Sequence, residues 1–282
     1  MSFDLVIMDF DGTCTDVETE GGPFLEAYRA DAAQMLGEGF AEDWDRAAEL
    51  VRSEPEVHGW RYEGRVVAPG NADPYLRATV IMNMIFDRRG LYPDPEARTE
   101  LLQELYSRHY VSAATAFRED ARRVIETILA SELELVIVTN SDTEAVRGKV
   151  TRLAPKGQAN LLIRGNARKF ILAEPEVPDP RFDSLPREQR YEGLERPILL
   201  RRGHYFEVLR EVWSQKGTSP ERTLIVGDIF ELDIAMPFFL GAHGHLIAGP
   251  NTPSFERRAM QGAARGAVSE TLEPVLERLG LR

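Results

Sequence analysis

The sequence predicts an α/β fold in which helices cover a parallel β-sheet. Three short apolar runs support this: Leu5 to Met8, Leu133 to Val138, and Thr223 to Val226. Each run is continuous rather than alternating, as expected for parallel strands that are buried on both faces. Between the second and third runs, apolar residues recur at helical spacing, for example at Val146 and Val150. Strands that alternate with helices in this way are typical of a parallel sheet.

The stretch between the first two predicted strands is too long for a single crossover helix. Residues 16–116 contain several segments with apolar residues at helical spacing. We therefore predict an α/β core formed by residues 1–15 and 117–282, and an inserted all-helical domain formed by residues 16–116.

Two further segments complete the predicted core. The Pro-rich and charged stretch from Glu174 to Pro197 is predicted to be the long loop of a hairpin between strands at Phe170 to Leu172 and Ile198 to Leu200. The apolar spacing after Ser269 predicts a closing helix.

Composition excludes several classes of protein. The 282 residues carry a formal net charge of −12, the wrong sign for a chain whose main partner is a nucleic acid backbone. No apolar run approaches the ~20 residues that a membrane helix needs, and no signal peptide is visible, so we expect no membrane partner. The single cysteine, Cys14, cannot form an internal disulfide, which predicts a cytoplasmic location. Of the 34 basic residues only four are lysines.

The first predicted strand ends in a pair of acids. Asp9 and Asp11 are two positions apart, so both side chains point to the same side of an extended segment at the sheet edge where α/β proteins bind ligands. Gly12 allows a tight turn after them. A calcium loop of the EF-hand type also begins with this spacing, but its sixth position would be Cys14 rather than glycine. A solvated turn is the remaining alternative for the motif taken alone.

Polar groups also follow the other two strands. The second ends at Thr139 and Asn140, followed by a capping-box pattern of Ser141 and Glu144, which predicts a helix N-terminus suited to phosphate. The third ends on a segment that contains Asp228 and Asp233. Acids without histidine or cysteine suit Mg²⁺.

These motifs resemble those of the haloacid dehalogenase (HAD) superfamily. The resemblance covers nearly the whole chain: the first motif at Asp9 to Thr13, the second at Thr139, and the fourth at Gly227 to Asp233, in family order. It implies a Rossmann-like sheet core with helices on both faces and a helical C1-type cap inserted after the first motif.

The resemblance also implies roles for these residues. Asp9 would be the nucleophile and Asp11 the general acid and base, and the second aspartate is typical of phosphatases and phosphomutases rather than dehalogenases. Mg²⁺ would be bound by Asp9, the backbone carbonyl of Asp11 and Asp228, with Asp233 close by. Thr139 and Asn140 would bind phosphoryl oxygens.

The third motif departs from the family, which usually has a lysine before the helix that precedes the fourth motif. Here the residues at that place are Arg201 and Arg202, and we favour Arg202 as the phosphate-binding cation because a guanidinium can bind phosphate through two hydrogen bonds. Lys169 is the alternative, although a long loop separates it from the helix. Lys216 lies too close to Asp228 in the sequence.

We therefore predict a Mg²⁺-dependent phosphatase that hydrolyses a small-molecule phosphate monoester through an aspartyl-phosphate. Two alternatives stay open: a phosphomutase of the same superfamily, and a non-catalytic phosphate-binding regulatory protein. The expected partner is a small phosphorylated substrate.

Overall fold

The computed structural model describes residues 3–110 and 115–281. The chain divides into two compact units, one formed by residues 1–16 and 117–282 and the other by residues 17–116. Within the described residues, no helix combines the length and the apolar character needed to cross a lipid bilayer.

The strands, in chain order, are β1 (Leu5–Met8), β2 (Trp60–Tyr62), β3 (Arg65–Ala68), β4 (Glu134–Val138), β5 (Leu162–Arg164), β6 (Glu188–Gln189), β7 (Ile198–Leu199), β8 (Thr223–Gly227), β9 (His243–Ile247) and β10 (Gly266–Ser269). The helices are α1 (Val17–Leu36), α2 (Phe40–Ser53), α3 (Pro74–Arg89), α4 (Pro95–Tyr110), α5 (Ala121–Leu129), α6 (Thr143–Leu153), α7 (Pro180–Asp183), α8 (Gly203–Lys216), α9 (Ala235–Phe239), α10 (Ser254–Gln261) and α11 (Glu273–Leu279).

The core unit is built on a parallel sheet, as the sequence predicts. In the described part of the chain, six strands form this sheet in the order β10-β9-β8-β1-β4-β5. Strand β1 pairs with β4 on one side and β8 on the other, and Met8 lies level with Ile137 and Val226. The three predicted motifs therefore follow three adjacent strands and meet at one edge of the sheet.

Helices cover both faces of this sheet, which explains why its strands are apolar throughout. Ile7 on one face packs in a cluster with Phe206 and Trp213 of α8. Val6 on the other face packs in a cluster with Ile125 of α5, together with apolar residues of α6 and α11. The α/β fold with helices on both faces is thus confirmed, and α11 is the predicted closing helix.

The inserted unit contains helices α1 to α4 around a core of its own. Phe24, Trp44, Ile81 and Phe86 are buried in it. The unit also contains an antiparallel hairpin of β2 and β3, which the sequence analysis did not predict.

The predicted hairpin between residues 170–172 and 198–200 is wrong. Strand β7 pairs instead with β6, which lies inside the segment predicted to be a loop. Residue Ala173 forms an isolated parallel bridge with Arg202. A hairpin between β6 and β7 closes a shorter loop and so costs less conformational entropy.

Candidate active site

Strand β1 delivers the two predicted catalytic carboxylates to the sheet edge. The backbone N–H of Asp9 donates to the carbonyl of Val226 at 2.8 Å, so the chain is still paired with β8 at this position. Asp9 is buried, whereas Asp11 is only partly buried. The nucleophile candidate is therefore shielded and the proton-relay candidate lies nearer to solvent.

Gly12 allows the loop after β1 to pass close to the end of β8. Its φ of +84° lies in the left-handed region, and a Cβ atom there would lie 2.2 Å from Oδ2 of Asp228. The Thr13 hydroxyl donates to Oδ1 of the same carboxylate at 2.9 Å. Only glycine permits both the turn and this close approach.

The end of β8 brings two more carboxylates to the edge. Residues 230–234 form one π-helical turn, and the Asp233 carboxylate folds back to accept a hydrogen bond from the Ile229 N–H at 3.0 Å. A Cβ atom on Gly227 would lie 2.4 Å from Cβ of Asp233. Glycine at this position therefore makes room for the returning acid.

Three of the predicted metal ligands form one cluster. Asp9, Asp228 and Asp233 each offer a carboxylate oxygen, and these atoms all lie within 4.8 Å of one another. Three hard oxygen donors without nitrogen or sulfur fit Mg²⁺. Both oxygens of Asp233 already accept hydrogen bonds, from Lys169 and from the Ile229 N–H, which suits a contact through water better than direct ligation.

The end of β4 differs from the prediction in one detail. The helix cap of α6 is Asp142, whose carboxylate accepts hydrogen bonds from the N–H groups of Glu144 and Ala145. The predicted capping box of Ser141 and Glu144 is therefore wrong by one residue. This leaves the Ser141 hydroxyl to donate to Oδ2 of Asp11 at 2.6 Å.

Thr139 and Asn140 lie between β4 and α6. Thr139 is buried, and its hydroxyl accepts a hydrogen bond from the Ser141 N–H at 3.2 Å. The Asn140 side chain accepts a hydrogen bond from the backbone N–H of Lys169 at 2.7 Å. The side chain of Asn140 thus positions the lysine segment, and phosphate binding by Thr139 and Asn140 stays a prediction.

Lys169 is the cation that the structure places among the carboxylates. It is 1% exposed, and its Nζ lies 2.6 Å from Oδ1 of Asp9 and 2.8 Å from Oδ1 of Asp233. The chain reaches this point from β5, which pairs with β4, through backbone hydrogen bonds from Asn166 to Ser141 and from Ala167 to Thr139. Its backbone is reached from β5, and Arg202 at the start of α8 donates to its carbonyl.

The charges at this edge influence one another. Burial raises the pKa of Asp9, and the ammonium group of Lys169 acts against this shift, as a bound Mg²⁺ would. Burial alone would lower the pKa of Lys169, but the carboxylates of Asp233 and Asp9 outweigh it and the net shift is upward. Lys169 is therefore fully charged at neutral pH.

The prediction that Arg202 is the cation of this edge is wrong. Its side chain is fully buried and donates to the backbone carbonyls of Leu199 and Lys169, at 3.1 and 2.7 Å. Burial lowers its pKa to about 10. Arg201 pairs with Glu174 and donates to the carbonyls of Phe182 and Leu185. Arg201 and Arg202 follow β7 and lead into α8. Their side chains bind backbone carbonyls and so hold the neighbouring loops in place.

Solved structures with the same architecture cover almost the whole chain. A protein from Bacteroides fragilis described as a haloacid dehalogenase-like hydrolase matches with a TM-score of 0.55 and 13% identity, over 97% of this chain and all of its own. One from Haemophilus somnus described as a phosphoglycolate phosphatase matches with a TM-score of 0.53 and 15% identity, over 99% and 98%. This chain has the haloacid dehalogenase fold.

A third structure, from Thermotoga maritima and described as a β-phosphoglucomutase, matches with a TM-score of 0.50 and 15% identity, over 99% of each chain. No protein-family sequence model matches the chain, and no curated protein sequence is significantly similar to it. At these identities the likeness establishes the fold, and the chemistry must be argued from the residues.

Sequence reasoning missed the contacts of two basic residues near Asp11 and Gly12. Lys149 lies on α6, and its Nζ is 2.6 Å from Oδ1 of Asp11. Arg118 donates two hydrogen bonds to the carbonyl of Gly12, at 3.2 and 2.9 Å, and so braces the loop after β1. A signal for Lys149 was present, because it lies three residues after Val146 and one before Val150 on the apolar face of the helix.

Proposed function

We propose that this protein is a Mg²⁺-dependent phosphatase that hydrolyses a small phosphate monoester through an aspartyl-phosphate. The observation that carries the proposal is the arrangement around Asp9, a buried carboxylate that lies beside Lys169 and within one acidic cluster with Asp228. Such a site can hold a cation and neutralise the charge of an incoming phosphoryl group.

In the first step an oxygen of the Asp9 carboxylate attacks phosphorus, and the bond from phosphorus to the ester oxygen breaks. Asp11 acts as the general acid and gives a proton to the leaving oxygen. In the second step Asp11 takes a proton from water, whose oxygen attacks phosphorus and breaks its bond to Asp9. Inorganic phosphate and an alcohol are released, and both aspartates return to their initial states.

The metal would be held by Asp9, Asp228 and the backbone carbonyl of Asp11, with Asp233 contributing through water. When bound, Mg²⁺ supplies positive charge that offsets the repulsion between an anionic nucleophile and an anionic phosphate. Lys169 supplies a further positive charge, 2.6 Å from Oδ1 of Asp9. The partner in this proposal is a small phosphorylated molecule, and the single buried cysteine suits a reducing compartment such as the cytoplasm.

A phosphate-release assay tests the proposal. The purified chain is incubated with Mg²⁺ and a panel of aryl, sugar and other alkyl phosphates, before and after treatment with EDTA. We expect phosphate release that EDTA abolishes and Mg²⁺ restores. Asp9→Asn should lower it by at least about a thousandfold, since the nucleophile is lost, and Asp11→Asn should be nearly as severe.

The matched control is Asp45→Asn, which removes an exposed aspartate that pairs with Arg29 in the inserted unit. It should leave turnover unchanged. Transfer of the phosphoryl group to a second hydroxyl of a sugar phosphate, without release of phosphate, would favour a phosphomutase instead. No reaction with any ester of the panel would contradict the enzyme proposal.

A further inference from the structure

The proton-relay candidate Asp11 is held by two donors from one segment of the chain. The Ser141 hydroxyl donates to Oδ2 and the Lys149 ammonium donates to Oδ1, each at 2.6 Å. Ser141 lies just before α6, and Lys149 lies on its second turn. A carboxyl group that accepts a hydrogen bond at only one oxygen can still rotate about its terminal bond. Donors at both oxygens define the plane and the direction of the group.

The position of Lys149 is unusual for a lysine. It is 6% exposed and shares the buried face of α6 with Val146, Val150 and Leu153. Burial of an ammonium group costs several kcal/mol, and replacing a buried ion pair by apolar residues is often neutral or stabilising. A leucine or methionine would therefore serve packing at least as well, so packing alone does not explain why a lysine, which contacts Asp11, stands here.

The lysines of the chain differ in burial and in the carboxylates that they contact. Lys169 and Lys149 are buried, and each contacts one carboxylate of the first motif, Asp9 and Asp11 respectively. Lys216 is more exposed and pairs with Glu134 at 2.7 Å. Two of the four lysines thus contact the three-residue stretch 9–11 that follows β1.

We propose that Lys149 is a positioning residue that, together with Ser141, orients the carboxyl group of Asp11 for proton transfer. This proposal rests on the proposed function, in which Asp11 gives a proton to the leaving group and takes one from water. Loss of the ammonium leaves Asp11 with the Ser141 contact alone. Both proton transfers should then slow, while phosphoryl transfer to Asp9 from an ester that needs no proton donor should continue.

Rapid-mixing kinetics with p-nitrophenyl phosphate and Mg²⁺ separates these steps. The nitrophenolate group leaves without a proton, so its burst reports attack by Asp9, and the later phosphate release reports proton transfer to Asp11. For Lys149→Met we expect a burst rate within about threefold of wild type and phosphate release slower by about tenfold or more. The ratio kcat/KM should change little for this ester, because slower breakdown of the aspartyl-phosphate lowers kcat and KM together. Turnover of glycerol phosphate, whose alkoxide needs a proton, should fall by at least as much.

Three further variants make the test specific. Lys149→Arg keeps a cationic donor and should recover most of the phosphate release. Lys149→Met in an Asp11→Asn background should be no slower than Asp11→Asn alone, because the two residues act as a unit. Lys216→Met removes a lysine ion pair elsewhere in the same unit and should leave both phases unchanged. Thermal unfolding of each variant checks folding, and Lys149→Gln replaces the Met variant if that one does not fold.

The outcomes separate this proposal from the proposed function. Equal losses in the burst and in phosphate release, full activity of Lys149→Met, or additive losses with Asp11→Asn would each overturn the role of Lys149 and leave the phosphatase proposal standing. Absence of both phases in the wild-type chain would contradict the phosphatase proposal itself.

Discussion

Lys169 and Asp9 are 160 positions apart in the sequence, yet the lysine Nζ lies 2.6 Å from Oδ1 of the aspartate inside the core unit. The same ammonium group reaches Asp233 at 2.8 Å and so joins the carboxylates that follow β1 and β8. The positive charge of Lys169 thus offsets the repulsion between the carboxylates of Asp9 and Asp233.

Removal of this cation should damage both activity and stability. In Lys169→Met the buried carboxylates of Asp9 and Asp233 lose their partner, which we expect to cost about 3–5 kcal/mol of unfolding free energy. Phosphate release per folded molecule should fall by at least about a hundredfold, with the folded fraction measured by circular dichroism. Activity close to wild type would show that Lys169 has no part in the chemistry.

Arg202 should behave differently, although it is just as deeply buried. Arg202→Met leaves the carbonyls of Leu199 and Lys169 without its guanidinium, and we expect a loss of about 2–4 kcal/mol in urea unfolding. Activity per folded molecule should stay within about tenfold of wild type, because the guanidinium donates to backbone carbonyls and has no part in the proposed chemistry. A loss of activity as large as that of Lys169→Met would restore Arg202 as a phosphate-binding candidate.

Gly12→Ala should abolish turnover because its Cβ would collide with Asp228, 2.2 Å away. Gly217→Ala is the matched control, since its φ of +61° is also left-handed but no other group lies within 4 Å of a Cβ there. Both variants should lose about 1 kcal/mol through backbone strain. Only Gly12→Ala should also lose Mg²⁺ binding, measured by titration calorimetry, and equal binding in the two variants would contradict this account.

His245 should make the protein sensitive to acid. Burial, aided by Arg278, lowers the pKa of this histidine from 6.5 to about 4 in the folded state. The unfolded chain therefore binds more protons between pH 6.5 and 4, so the unfolding free energy falls by up to about 3 kcal/mol as the pH drops through this window.

His245→Gln keeps a side chain that can reach the hydroxyl of Ser269, which lies 2.8 Å from Nε2 of the histidine. Urea unfolding at several pH values should show a smaller loss of stability between pH 6.5 and 4 in this variant than in the wild type. Parallel pH profiles for the two proteins would contradict the assignment to His245.

Much of the site could be anticipated because its residues follow directly after buried strands. Asp9 comes after β1 and Asp228 after β8, and the two strands are paired in the sheet. In a parallel sheet, residues just beyond the ends of paired strands meet at one edge whatever the length of chain between them. The meeting of Asp9 and Asp228 needed no more information than this, whereas Asp233 returns to the edge through the turn at residues 230–234.

The choice between Lys169 and Arg202 needed the tertiary structure. Distance along the chain from α8 favoured Arg202, but the pairing of β5 with β4 and the turn after β5 determine where residue 169 lies. Strand β5 lies next to β4 in the sheet, so the residues that follow it, Lys169 among them, reach the same edge. Hydrogen bonds between residues 166–169 and residues 139–141 then fix the path of the chain from β5 to Lys169. These bonds depend on side-chain and backbone geometry that no spacing rule describes.

The sequence by itself determined the α/β core, the place of the helical insert and the acidic edge, because buried strands and helix faces leave regular apolar patterns. Only the tertiary structure decided which cations serve that edge. Lys169 and Lys149 are single polar residues, in a loop and on an apolar helix face, and nothing in their local pattern marks their partners. A buried charge is stable only beside an opposite charge, and that neighbour comes from a distant part of the chain.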